Sequence, residues 1–276
     1  MLEELAFGYG LLEGPRYASD GSLYFCDGMD GGVYRLAADG EVSTIVPRRK
    51  AVGGIVLHEQ GGIVISGRDI CHVKDGESRI VFKANAPSIN DITADAKGRL
   101  LIGTIQGAHV SRDNRVPGEC LLLEQGAQPR ELYREVMLAN GMGFSPDGCT
   151  LYHADTAARC VIVHDYDEDG GTVSNRRALF KDSDVIPDGL ALDEEGNLWI
   201  ADLSGSRAVR VFTPAGKEVD RIAVPAVRPT SLSFGGPDRR DLYIVTADNI
   251  EQADKRGTIY RTRVSVAGLP VPTTNV

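Results

Sequence analysis

A short phrase recurs six times along this chain of 276 residues, and its spacing restricts the folds open to it. Each copy is a few turn residues, mostly with glycine, followed by an apolar run carrying aromatic or β-branched side chains. The first three copies read Asp20-Gly21-Ser22-Leu23-Tyr24-Phe25, Gly61-Gly62-Ile63-Val64-Ile65 and Gly98-Arg99-Leu100-Leu101-Ile102. The phrase returns as Asp147-Gly148-Cys149-Thr150-Leu151-Tyr152, Gly196-Asn197-Leu198-Trp199-Ile200 and Arg240-Asp241-Leu242-Tyr243-Ile244. From Gly21 to Arg240 is 219 residues over five intervals, about 44 per unit, which is the length of a four-stranded propeller blade. Within the first unit, Gly14 to Ala18 and Ser22 to Cys26 flank one turn, and Gly32 to Leu36 and Glu41 to Ile45 flank the Asp39-Gly40 turn. Short strands joined by Asp-Gly turns form a meander of hairpins.

Six such units predict an all-β chain: a six-bladed β-propeller of four-stranded antiparallel blades around a central tunnel. A solenoid of the same units would need atypical capping repeats, and none is evident. The last unit has a good third strand at Gly257 to Val264 and a weak fourth, so the segment before Leu11 is expected to supply the missing outer strand. No linker divides the chain, and residues 1–276 read as a single domain.

Composition narrows the partners. The chain has 32 glycines against 13 prolines and one tryptophan, as many tight turns require, and a net charge of −9 with no basic tract. Neither nucleic acid nor an anionic membrane is expected as a partner. No apolar run approaches the roughly 18 residues of a membrane helix, and MLEELAFGYG lacks the basic start and apolar core of a secretory signal, so a cytoplasmic location is expected. Five scattered cysteines without a CxxC pair read as free thiols.

The functional signal lies in the phase. Eight residues before each turn glycine stand Glu13, Gly53, Asn90, Asn140 and Asp188, with Thr230 matching in the sixth unit. Four of them open Glu13-Gly14, Asn90-Asp91, Asn140-Gly141 and Asp188-Gly189. Equivalent heights on the inner strands of a propeller converge on its axis. Glu13, Asn90, Asn140 and Asp188 are therefore expected to hold one divalent metal ion with hard oxygen donors. Ca²⁺ is the expected ion, with Mg²⁺, Mn²⁺, zinc or iron as alternatives. Turn chemistry alone accounts for Asn-Gly and Asp-Gly, but not for Glu13 or the shared offset. A second set at the same height, Asp27, Thr104, Asp155 and Asp202, has two readings: orienting ligands and water, or capping neighbouring backbone N–H groups.

These phrases resemble the senescence-marker-protein (regucalcin)/gluconolactonase-like family, and more distantly the diisopropylfluorophosphatase and paraoxonase propellers. The matches span nearly the whole chain: Glu13-Gly14-Pro15, Asn90-Asp91, Gly103-Thr104, Asn140-Gly141-Met142-Gly143-Phe144-Ser145-Pro146-Asp147-Gly148, Pro187-Asp188-Gly189-Leu190, Gly196-Asn197-Leu198-Trp199, and Pro229-Thr230-Ser231 with Phe234-Gly235-Gly236-Pro237-Asp238. The resemblance implies a six-bladed propeller with an axial divalent metal on Glu13, Asn140 and Asp188, and Asn90 at the metal or the substrate. It also implies a metal-dependent hydrolase of a lactone or related cyclic ester. Two positions depart from the sugar-lactone pattern: Ser88 stands where the family has arginine, and Ala108 where it has glutamate. The groups that would grip sugar hydroxyls and a ring oxygen are thus missing, which puts gluconolactone as substrate in doubt.

On this reading the ion polarises the carbonyl, Asp188 is the general base for water, and Asn90 shares the catalytic site. Asp188 as direct nucleophile, a phosphotriesterase-like reaction, and a non-catalytic calcium-binding or interaction propeller are the alternatives. Thr104, His109, Arg112 and Arg68 are the expected substrate-binding residues, with the 104–119 loop, which also carries Gln106 and Arg115, as a lid. Arg159 and Arg207 occupy comparable loops, which suits an anionic small molecule. A monomer or weak homo-oligomer is expected. Asp165-Tyr166-Asp167-Glu168-Asp169-Gly170 imitates the start of an EF-hand loop, but Arg176 stands at the twelfth place, so it reads as a hairpin.

Overall fold

The structure, a computed structural model, describes residues 1–106, 116–180, 184–247 and 253–276. The described residues form twenty-four strands, and the sheets follow the 44-residue period. Blade 1 is β2(Leu12–Tyr17), β3(Leu23–Asp27), β4(Val33–Leu36) and β5(Val42–Val46); blade 2 is β6(Ile55–Leu57), β7(Ile63–Ile65), β8(Ile70–Lys74) and β9(Glu77–Phe82). Blade 3 comprises β10(Ser88–Ala94), β11(Leu100–Ile105), β12(Gly118–Leu123) and β13(Arg130–Val136). Blade 4 comprises β14(Ala139–Phe144), β15(Thr150–Asp155), β16(Cys160–Asp167) and β17(Thr172–Ala178). Blade 5 comprises β18(Pro187–Leu192), β19(Leu198–Asp202), β20(Ala208–Phe212) and β21(Glu218–Ala223). Blade 6 is β22(Pro229–Gly235), β23(Asp241–Thr246) and β24(Gly257–Arg263), with β1(Glu3–Tyr9) antiparallel to β24 as its outer strand. The fold is a six-bladed β-propeller. The Asp165–Gly170 segment lies where β16 turns into β17, as a hairpin. Among the described residues, no helix is long and apolar enough to cross a membrane.

The turns that open each second strand show why the phrase recurs. In blade 5, Gly196 adopts φ +84°, and the Asp193 carboxylate accepts from Glu195 N, Asn197 N and the Trp199 indole. Only glycine takes that φ without steric cost, and the aspartate meets backbone donors that the tight turn leaves open. Asp95 does the same in blade 3, bonding Lys97 N and Arg99 N and pairing with the Arg99 guanidinium at 2.6 Å.

Burial grades outward through each blade. Every residue of β11 and β19 is buried, whereas β17 and β21 are mostly exposed. Six apolar clusters result, one between each pair of adjacent blades. One joins Val56, Val64 and Ile70 of blade 2 to Ile92, Leu100 and Ile102 of blade 3. Another joins Leu12, Leu23 and Phe25 of blade 1 to Tyr243, Val245 and Ile259 of blade 6. A fully buried Leu, Ile or Phe contributes about 1.5–3 kcal/mol, so the ring is held by contacts between blades as well as by the sheets.

After β24 the chain crosses the face at which the inner strands end. Gly268 bridges Asp193, and Leu269 N donates to Leu192 O at 2.8 Å, both on blade 5. Thr274 N donates to Leu57 O at 2.9 Å and Asn275 N to Gly98 O at 3.0 Å, on blades 2 and 3. Residues 269–273 therefore span the ring like a strap.

Candidate functional site

The site forms where the inner strands begin. In blades 1, 3, 4 and 5 the ladder between first and second strand is interrupted at the same point, between Glu13 and Arg16, Ile89 and Ile92, Ala139 and Met142, and Pro187 and Leu190. Such bulges re-aim side chains and gather beside functional sites. Here they free Asn90, Asn140 and Asp188 from the pleat, with Glu13 at the edge of its own bulge. The adjoining glycines answer a second demand. A side chain at Gly53 would strike Asn90, one at Gly141 would strike the Gly189–Leu190 backbone, and one at Gly189 would strike Ser231. The inner strands pass too close for anything but hydrogen at those places, which is why the phase shows glycine after asparagine or aspartate.

Glu13, Asn90, Asn140 and Asp188 are brought together. Asn90 spends its amide hydrogens on Asn140 Oδ1 and Ala139 O, both at 2.7 Å. Asn140 Nδ2 donates to Thr156 Oγ1 at 2.6 Å, and Thr156 in turn donates to Pro187 O at 2.6 Å. This chain links three blades and turns the Asn140 oxygen toward Asn90. Asp188 is buried, and its Oδ1 has no hydrogen-bond partner.

The electrostatics are unfavourable for the protein alone. Burial, then the charges of Asp188 and Asp91, push the Glu13 carboxyl well above the usual carboxylate range, with the Gly14 N–H bond opposing. Burial and then Asp91 do the same to Asp188. Asp91 is itself raised by burial and drawn back by Arg16 and the Ile92 N–H. Cys26 lies behind Glu13, its Sγ donating to Glu13 O at 3.2 Å and Val52 O at 3.3 Å; burial, Glu13 and Asp91 raise its pKa strongly and hold it as a thiol. Among the described residues, no group of three or more His, Cys, Asp or Glu side chains is arranged to hold a metal ion. The donor set is carboxylates completed by amide oxygens. An unpartnered buried carboxylate oxygen beside a second raised carboxylate fits a hard divalent cation, which would cancel the repulsion.

The second set at this height has a different use. Asp27 accepts from the backbone N–H of Gly10, Leu11, Met29 and Asp30; Asp155 from Met137, Leu138 and Ala158; Asp202 from Ile186 and Ser204. Each ties the loop entering an inner strand to the hairpin leaving the second strand. Thr104 Oγ1 accepts from Glu119 N at 2.9 Å and donates to Glu119 O at 3.1 Å. Its hydroxyl is thus committed to the backbone rather than offered to a ligand, and the capping reading of the set prevails. Thr230 Oγ1 likewise donates to Leu12 O, which ties blade 6 to blade 1. Arg68 is exposed in the β7–β8 hairpin, on the face where the inner strands begin. His109, Arg112 and Arg115, with Ala108, lie outside the described residues. His153 is fully buried, its Nδ1 2.6 Å from the Tyr133 hydroxyl.

Three participants were not singled out from the sequence: Asp91, Arg16 and Thr156. Asp91 stood in the Asn-Asp phrase and could have been read as a third acid. Arg16 and Thr156 carry no local mark, since each acts across blades.

A family profile described as the SMP-30/Gluconolactonase/LRE-like region matches residues 11–248. The 6-deoxy-6-sulfogluconolactonase of Pseudomonas putida is 32% identical over 267 residues, covering 91% of this chain and 89% of that protein. Pentonolactonase XacC of Haloferax volcanii is 28% identical over 276 residues, covering 94% and 92%. The solved structure of a luciferin-regenerating enzyme superposes with a TM-score of 0.90 at 25% identity, covering 100% of this chain and 99% of that one. The chain belongs to the SMP-30/gluconolactonase/LRE-like family, as its repeated phrases implied.

Proposed function

We propose that this protein is a hydrolase of a lactone or related cyclic ester that works at a single divalent cation, Ca²⁺ by the hardness of its donors. The observation that carries the reading is the buried, unpartnered Asp188 carboxylate oxygen beside Glu13, both carboxyls raised by burial and then by neighbouring negative charge. The names of the lactonase relatives support the substrate class. Glu13, Asn140, Asp188 and Asn90 would hold the cation, which would supply a Lewis acid for the lactone carbonyl and a charge that keeps both carboxylates ionised.

The chain's own residues supply the rest. Asp188 takes a proton from water attacking the carbonyl carbon, as general base, and returns it to the ring oxygen as the acyl–oxygen bond breaks. Asn90, its N–H groups already engaged, presents its oxygen to the ion or substrate. Thr156 holds the Asn140 amide so that its oxygen and not its nitrogen faces inward. Burial keeps bulk water from the charge developing on the carbonyl oxygen. Ser88 stands in place of the arginine of sugar-lactone hydrolases, so a group that would grip sugar hydroxyls is missing and the reading goes no further than a lactone. Arg68, with Arg112 and His109, favours one bearing an anionic group.

Metal analysis of the purified protein, with a lactone panel assayed with and without chelator, tests this. Bound metal and chelator-sensitive hydrolysis are expected. Absence of both would replace the reading with a binding propeller.

A further inference from the structure

The two faces of the propeller carry opposite charge. Loops running from a second to a third strand, or from a fourth strand to the next blade, lie on the face of the carboxylate site; the other connections lie on the strap face. Among the described residues, the site-face loops hold ten Lys and Arg against four Asp and Glu, an excess of six positive charges. The strap-face loops hold five against fourteen, an excess of nine negative charges. The net charge of −9 hides this division.

The positive face is also left unpaired. On the strap face Lys97 pairs with Asp169, Arg99 with Asp95 and Arg239 with Glu194. On the site face Arg48, Lys50, Arg68, Arg159 and Arg207 are exposed, and among the described residues their side chains make no ion pair. Arg159 and Arg207 add a second sign. Each is the last residue before the third strand of its blade, at φ 55° and 56°. Glycine takes that backbone freely, and asparagine and aspartate tolerate it best among the rest. Arg239, at φ 55° on the strap face, spends its guanidinium on Glu194 and Gly268 O. Arg159 and Arg207 have no such use, so what they supply at that backbone is charge beside the tunnel mouth.

Charges of one sign around a cleft focus the field into it and raise the local concentration of the opposite ion. We infer that the site face is an electrostatic funnel that gathers a small anion, a lactone bearing a carboxylate or other acidic group, at the tunnel mouth. The substrate class rests on the lactonase reading; the funnel does not.

Paramagnetic NMR on the full chain in Ca²⁺-containing buffer tests the funnel without any turnover. The probes are a nitroxide bearing a carboxylate and one bearing a carboxamide, at about 10 mM salt, where the Debye length is about 30 Å. On the site face, the anionic probe should relax the exposed Ala158 and Gly205 amides at least about twice as strongly as the neutral probe. On the strap face, it should relax those of Gly40 and Glu195 less than the neutral probe does. Both differences should fade at about 0.5 M salt. Arg159→Asp with Arg207→Asp reverses two charges in residues that suit the backbone, and should remove most of the site-face preference. Kinetics test the class, with a lactone of the panel compared as carboxylate and carboxamide. The KM of the carboxylate should rise at least about threefold from low to high salt, with its kcat and the carboxamide's KM steady. Equal relaxation of both faces by the two probes overturns the funnel, whatever the protein hydrolyses. A salt-independent KM for the carboxylate overturns the anionic substrate. If no lactone is hydrolysed, the substrate class falls with the lactonase reading and the probes alone decide the funnel. Retention on heparin at about 0.15 M salt overturns the small anion in favour of a polyanion.

Discussion

Replacing Thr156 with valine preserves its shape and removes one oxygen that serves two bonds, each of 2.6 Å. Asn140 Nδ2–H then has no acceptor and the Pro187 carbonyl has no side-chain donor. At about 1–3 kcal/mol for each of the two buried groups left unmet, the loss is roughly 2–6 kcal/mol. For a chain this long, roughly 2 °C of Tm follows each kcal/mol, so thermal unfolding should shift down by about 4–12 °C. The site should suffer separately. Asn90 and Thr156 fix the Asn140 amide from opposite sides, and losing the Thr156 acceptor lets the amide swing. Outer partners of ligating groups are typically worth about 10–100-fold in metal affinity, and Ca²⁺ affinity should fall within that range. Calorimetric titration of the unaltered protein, Thr156→Val and Thr156→Ser measures this directly. Serine restores the hydroxyl and should recover affinity to within about threefold. Wild-type Ca²⁺ affinity in a folded Thr156→Val protein would refute the orientation argument. Equal loss in both variants would trace the effect to the methyl group.

Asp188→Asn should leave the fold intact, lower kcat by about 10²–10⁴ as removal of a general base does, and raise the Tm of cation-free protein, because a strained buried carboxylate is gone. Unimpaired hydrolysis with bound cation would dismiss the assignment. Ca²⁺ at about a hundred times its Kd should stabilise the protein by about 2.7 kcal/mol, reversibly with chelator; a Tm unmoved by either would count against the axial site. Burial lowers the His153 pKa to about 3, against about 6.5 in the unfolded chain. Its contribution is therefore complete above pH 6.5 and is lost as pH falls toward 3, at up to about 1.4 kcal/mol per unit. His153→Gln should be less stable than the parent at pH 7 by urea denaturation, with the gap narrowing by about 2 kcal/mol at pH 5; parallel curves would disprove it.

The blades were legible because their turns are local. Asp193, Gly196 and Asn197 fall within five residues of each other, so a turn of this kind can be seen in the sequence alone. The four site residues were legible for a different reason: ring geometry turns a common offset into a common height. Radial contacts were not legible. Arg16 reaches Ile92 O across 76 positions and Asn90 reaches Asn140 across 50, and no spacing rule yields such pairs. Asp27, Asp155 and Asp202 show the limit most plainly. Their height was correct, yet only the backbone N–H groups around them show that they brace loops instead of facing the axis.

The seam of blade 6 has a consequence for how the molecule is made. Residues 3–9 pair with a strand that begins at Gly257, and Leu5, Ala6 and Tyr9 pack against the cluster shared by the first and last blades. At ribosomal rates of about 5–20 residues per second, those N-terminal residues wait roughly 12–50 s for their partner. The strap arrives later still, since its anchors at Thr274 and Asn275 follow β24 in the chain. Individual blades can form during synthesis, but the ring can close only once β24 has been made. Until then β1 is an unpaired strand and the growing blade has an open sheet edge, which sets a window for chaperone capture or for pairing with another copy.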